Sequence, residues 1–194
     1  MLQESSFVSN EANDDGYTAK YGVEKPNSVL DYRLYAKKGV DDWMGKMRER
    51  TSELYKIAAG LPRDSISNSE AALHYAVMDL NKRGGKSSID NGQHIWNYCS
   101  YYKDYIKREI EIINPDIIVW LSTKTFDMGI PRMLGAKGSN DLYFLIEKKK
   151  VPIIRMWHTS YIYGTRYVTP LEGYDRINGA LCAKLKMEME RIGF

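Results

Sequence analysis

Asn114-Pro115-Asp116-Ile117-Ile118-Val119-Trp120-Leu121-Ser122 decides the class of fold. A proline stops whatever helix precedes it, because it lacks the amide hydrogen and its ring clashes with the carbonyl four residues back. An unbroken apolar, β-branched run follows. A strand with one wet face alternates apolar and polar residues, whereas a run apolar on both faces belongs in a parallel sheet covered on both sides. Three further runs share this character: SFVS at 6–9, HYAVMDL at 74–80 and VPIIRMW at 151–157.

Working outward, helical spacing fills much of the sequence between these runs. From 41 to about 59, Trp43, Met47, Leu54, Ile57 and Ala58 fall near one face. From 91 to 113, Ile95, Cys99, Tyr102, Ile106 and Ile110 form an apolar stripe, and Asn114-Pro115 closes it. A shorter helix is expected over 140–149. The last, over 174–192, carries Ile177, Leu181, Leu185 and Met189. LPRDSISNSE at 61–70 reads as a polar loop. Strands separated by helices predict βαβ units and an α/β class. The expected architecture is a three-layer α/β/α sandwich with a central, mainly parallel sheet of about four strands. With no internal repeat and no long linker, residues 1–194 read as one domain.

Composition narrows the function classes. At 194 residues a domain buries roughly 70% of the surface of its unfolded chain, so it needs no disulfide or metal staple. No apolar run approaches the roughly 18 residues of a membrane span, and MLQESSFVSN lacks the layout of a signal peptide. A cytoplasmic monomer without membrane attachment is the expectation. Cys99 and Cys182 are far apart and form no CxxC, which leaves neither a disulfide framework nor a four-cysteine metal cluster. Three scattered His residues argue against zinc. No metal and no cofactor are expected. His74, inside a strand run, and His94, near a helix start, read as ordinary residues.

The net charge of +3, from 28 Lys+Arg against 25 Asp+Glu, does not by itself point to nucleic acid. Placement says more. In an open parallel sheet, ligands bind outside the carboxyl ends of the strands. The first, second and fourth runs lead into NEANDDGY, NKRGG and HTSY. These three polar segments, distant in sequence, are expected to meet at one sheet edge.

A carboxylate-bearing loop after the first strand, an Asn after the second, NPDIIVWLS around the third and His-x-Ser after the last together resemble the uracil-DNA glycosylase superfamily. The resemblance spans about 7 to 161, and HTSY is its most specific motif. It implies that the first motif positions or activates water, that Asn81 reads the Watson–Crick edge of a flipped base, and that His158 stabilises the oxyanion on the departing base and holds DNA phosphate. The pattern departs from the family in several places. Asn10-Glu11-Ala12-Asn13 lacks the usual Gly and Pro, His158-Thr159-Ser160 lacks the common Pro, and Leu121-Ser122 stands where a Gly often follows the third strand. Glu11-Ala12 is similar to a variant found in branches with an iron–sulfur cluster, but two Cys cannot supply four thiolates. The chain is read as a divergent member without that cluster.

Breaking an N-glycosidic bond builds positive charge on the sugar and negative charge on the base, so it needs donors at the base oxygen and an acceptor beside the sugar and water. His158 suits the first role. Glu11, Asn13, Asp14 and Asp15 are the candidates for the second, and the residues leave open which of them acts. Asn81 offers both a donor and an acceptor for edge recognition. Tyr17 and Tyr21 are placed to stack on a base. Lys82, Arg83 and Lys86, with Ser160, Tyr161 and Arg166, are the expected DNA contacts, and Arg155 is expected to join them in a positive groove. DNA, as duplex or single strand with a flipped base, is the expected partner. The altered first motif favours a modified pyrimidine, such as a modified cytosine of a viral genome in antiviral defence, over plain uracil. Two other readings remain: a catalytically inactive glycosylase fold that binds DNA or a partner, and a nucleotide hydrolase with Mg2+ held near Asp14 and Asp15.

Overall fold

A computed structural model of the chain describes residues 2–4, 45–81, 93–159 and 164–194. They fall into two compact units. The first holds residues 2–4, 78–81 and 93–155; the second holds 45–77, 156–159 and 164–194.

In the first unit, β1 (Leu2–Glu4) pairs in parallel with β2 (Met78–Asn81), and β3 (Ile118–Trp120) pairs in parallel with β5 (Lys149–Arg155). β4 (Tyr143–Ile146) runs antiparallel to β5, so β5 is the middle strand of a three-stranded mixed sheet. Glu4 lies opposite Asn81, each closing its strand, so β1 and β2 end at one edge. Trp120 and Arg155 close β3 and β5 in the same manner. β1 lies next to β3. The strand expected at 6–9 falls outside the described residues, and the observed β1 is just upstream of it. The run at 74–80 contributes a strand only from Met78 onward.

The expected helix over 91–113 is two helices, α3 (Gln93–Tyr101) and α4 (Lys103–Ile113), with Tyr102 between them at a non-helical φ of −105 and ψ of 18. The stripe survives the break, since Ile95, Cys99, Ile106 and Ile110 are all buried. Asn114 ends α4 in the left-handed conformation, φ 45, which asparagine tolerates and Pro115 then makes final. Trp120 is fully buried and donates its indole N–H to Thr125 Oγ1 at 2.9 Å, the partner that a buried tryptophan needs. Thr125 lies on α5 (Thr123–Asp127), which is followed by α6 (Ile130–Met133). With Leu80, Leu134, Phe144 and Val151, these residues form one core.

No helix covers 140–149. That segment is β4, a turn and the start of β5. Leu142, Phe144 and Ile146 are buried, Tyr143 is half-buried and Leu145 is exposed, which is the period of a strand. The alternation is hidden in the sequence because the outward residues are themselves apolar. Glu147 turns the chain at φ 54. The free edge of β4 is partly occupied: Lys137 and Tyr143 exchange two backbone hydrogen bonds, of 2.8 and 3.0 Å.

In the second unit, α1 (Gly45–Ala58) packs on α7 (Arg176–Ile192), beside the short α2 (Asn68–Ala71) and a 3-10 turn (Gly164–Tyr167). α2 overlaps the end of the stretch expected to be a loop and is capped by Ser67. Asp175 caps α7, accepting from the amides of Ile177 and Asn178. Leu181, Leu185 and Met189 are buried as their spacing predicts. Gly179 lets the chain pass close over α7: a Cβ there would lie 2.9 Å from both Leu171 O and Pro170 Cβ. The apolar face expected on α1 is not what that helix buries. Leu54 is buried, but Met47, Ile57 and Ala58 are only half-buried, while Arg50, Thr51, Ser52, Glu53 and Lys56 are buried. Trp43 lies outside the described residues. Among the described residues no helix is long and apolar enough to cross a membrane.

Candidate functional site

After β5 the chain continues through Met156 and Trp157 to His158 and Thr159. His158 is half-buried, and burial lowers its pKa below the ordinary imidazole value. Such a ring is neutral at pH 7, with one nitrogen donating and the other accepting. Thr159 is fully buried, and its carbonyl accepts a hydrogen bond from the Arg50 guanidinium on α1. Arg50 Nε donates to Asn178 Oδ1 on α7 at 3.1 Å, and Asn178 Nδ2 donates to Glu49 Oε1 at 3.1 Å. The hydroxyl of Thr159 has no hydrogen-bond partner among the described residues.

One turn further along α1, a second polar group is buried. Lys56 Nζ lies 3.5 Å from Glu53 Oε1 and donates to Asn68 Oδ1 at 3.0 Å. Ser52 Oγ donates to Asn68 O at 3.0 Å and lies 3.2 Å from the Tyr75 hydroxyl, whose pKa burial raises. Burial, with Cys182 and Glu53 nearby, pushes the pKa of the Tyr174 hydroxyl up to about 12. Burial, with Glu53 nearby, pushes the Cys182 thiol up to about 12. Cys182 is therefore a protonated thiol at neutral pH and no nucleophile. Glu53 Oε2 has no hydrogen-bond partner among the described residues. Desolvating each ion costs several kcal/mol, and an orphaned buried acceptor adds on the order of 1–3 kcal/mol. A helix that served packing alone would carry leucine at these positions.

No protein-family model, curated protein or solved structure matches the chain.

Of the residues singled out in the sequence, Asn81 closes β2, with its side chain outside what the structure describes. Glu11, Asn13, Asp14, Asp15, Tyr17, Tyr21, Lys82, Arg83, Lys86, Ser160 and Tyr161 also lie outside the described residues. Asn81 belongs to the first unit and His158 to the second. Arg166 is exposed on the 3-10 turn. Arg155 is exposed and holds Asp127 with two of its nitrogens, so its charge is shared with a carboxylate. His74 lies in a bend rather than a strand, and its ring stacks on Tyr55 with centroids 5.8 Å apart. The sequence reading missed the α1 network. Its signal was present: Glu49, Glu53 and Lys56 recur at spacings of four and three, the period of a core stripe.

Proposed function

We propose that the chain is a DNA glycosylase that flips out a modified pyrimidine and hydrolyses its N-glycosidic bond. The observation that carries this reading is His158: an imidazole kept neutral by burial, on a turn held by a buried guanidinium, at the residue where the glycosylase-like motif requires it. A neutral imidazole donates to a pyrimidine carbonyl oxygen without first surrendering a proton. It thereby stabilises the charge that develops as the base leaves. In the reaction the bond between C1′ and the base nitrogen breaks, the electron pair departs with the base, water adds its oxygen to C1′, and the water proton ends on the base or solvent. Asn81 pairs with the edge of the flipped base, and a residue of the Glu11, Asn13, Asp14 and Asp15 segment aligns the water.

The strand pairings support the same reading. With β1 next to β3, we read the two ladders as one sheet of order β2-β1-β3-β5-β4, four strands parallel and β4 antiparallel at one end. In that order the chain steps from β1 out to β2 and returns across β1 to β3. The crevice at such a reversal, outside the carboxyl ends of β1 and β3, is where doubly wound sheets take ligands.

The test is incubation with duplexes carrying uracil, oxidised pyrimidines or substituted cytosines, followed by alkali to cleave abasic sites. Strand cleavage at one modified pyrimidine, persisting in EDTA and lost in His158→Ala, is expected. Absence of base release from every duplex overturns the reading, and activity abolished by EDTA transfers it to metal-dependent hydrolysis.

A further inference from the structure

We infer that Arg50 is a positioning residue for His158, gripping the backbone turn that carries the imidazole. The inference rests on the proposed role of His158 and adds a residue 109 positions from Thr159 in sequence. The guanidinium donates to the Thr159 carbonyl with one nitrogen and to Asn178 Oδ1 with another, while Asn178 is held in turn by Glu49. A guanidinium is a rigid plane, so two donors fixed by two acceptors define its direction. The Thr159 carbonyl belongs to the peptide unit just beyond Thr159, so the grip anchors the chain one residue past His158 and limits how far the imidazole-bearing residue can shift.

Thr159 itself argues that the turn is held from outside. Its side chain is fully buried, yet its hydroxyl has no hydrogen-bond partner among the described residues. A conformation that orphans the residue's own hydroxyl is not one that this residue selects. Arg50 is the group seen to bond the turn at that residue. Arg50 is itself buried, and a buried guanidinium is unfavourable unless its N–H groups are paired, so its bonds to Thr159 and Asn178 hold it in one direction. A lysine would retain the charge but lose the two-pronged geometry.

The experiment compares wild type with Arg50→Lys and Asn178→Ala, using two independent readouts. The first is the ring 1H–13C NMR signal of His158, with exposed His74 as internal control. The second is single-turnover base release beside duplex affinity. In Arg50→Lys, the His158 signal moves, the His74 signal stays, and base release falls by on the order of 10- to 100-fold with affinity unchanged, since small misplacements of a catalytic group cost about that much. Asn178→Ala, which leaves Arg50 in place but frees its fork, moves the same signal less and carries the test if Arg50→Lys does not fold. A His158 signal that superimposes on wild type in a folded variant overturns the inference. A moved signal in a protein whose wild type releases no base leaves the positioning intact and removes the proposed reaction instead.

Discussion

Arg155, the last residue of β5, holds Asp127 of α5 with both prongs, Nε to Oδ1 at 2.9 Å and an Nη to Oδ2 at 2.6 Å. A guanidinium paired with a carboxylate presents a phosphate with less net charge than a lone one. Neutralising Arg155 is therefore expected to leave the salt dependence of DNA affinity unchanged, whereas each phosphate-contacting cation lost among Lys82, Arg83 and Lys86 flattens the log–log slope by roughly 0.9. Binding titrations at several salt concentrations check both halves. Because both partners are partly exposed, Asp127→Asn should cost no more than about 1 kcal/mol of stability.

His158→Ala and Asn81→Ala are expected to slow base release by on the order of 100- to 1000-fold while general DNA affinity stays nearly intact. Both side chains meet the base most strongly as its bond to the sugar breaks, whereas phosphate contacts carry ground-state affinity. Substitution of Glu11 or Asn13 acts similarly for whichever of the two aligns the water. Single-turnover assays with saturating enzyme measure this. Full activity in His158→Ala would reduce HTSY to a strand-ending turn.

Burial lowers the His158 pKa in the folded chain, so the unfolded chain binds more protons there below about pH 6.5. Linkage then gives the sign: the contribution is fully present above the unfolded pKa and is lost as pH falls toward the folded one. Urea denaturation across that window should show stability declining on acidification, with a shallower decline in His158→Gln. An identical pH dependence in the variant would mean that the ring titrates as in water.

Gly179→Ala tests the strap over α7. Alanine is the better helix former by up to about 1 kcal/mol. Its Cβ, however, would stand 2.9 Å from a backbone oxygen that cannot simply rotate away, and such overpacking costs about 1–3 kcal/mol. The clash wins, and the variant should melt lower than wild type.

Neither cysteine is in a disulfide, both are buried, and burial pushes the Cys182 thiol up to about 12. Neither should react with a thiol reagent at pH 8 until denaturant is added. Rapid labelling of one thiol in the native protein would show that α3 or α7 opens readily.

How far the sequence carried the fold depends on how each element keeps its polar residues. The runs around Ile118 and Ile153 were legible because their apolar residues follow one another without alternation, with Ile118, Trp120, Ile153 and Ile154 buried. The α3–α4 stripe was legible too, although the break at Tyr102 was not, since a local change of φ and ψ leaves the spacing of side chains intact. β4 was hidden by its apolar outer residues, Tyr143 and Leu145. α1 was misread for the opposite reason: much of its buried surface is polar and charged, from Arg50 to Lys56, and no hydropathy pattern marks such side chains as interior. For the candidate site, HTSY led to His158, but Arg50 and Asn178 could not be found from it. Their link to the turn is a hydrogen bond between segments more than a hundred positions apart, and only folding brings them together.

The bridge between Lys137 and Tyr143 has a further consequence for how the protein behaves when crowded. An outermost strand with open amides and carbonyls invites a second molecule to add its own, and repetition of that event builds fibrils. On β4 the first position is already taken by the molecule's own chain, since the amide and the carbonyl of Tyr143 are both spent on Lys137. An incoming copy would meet an occupied backbone there. The sheet is thus closed at that position by its own chain, so concentrated solutions should resist seeding.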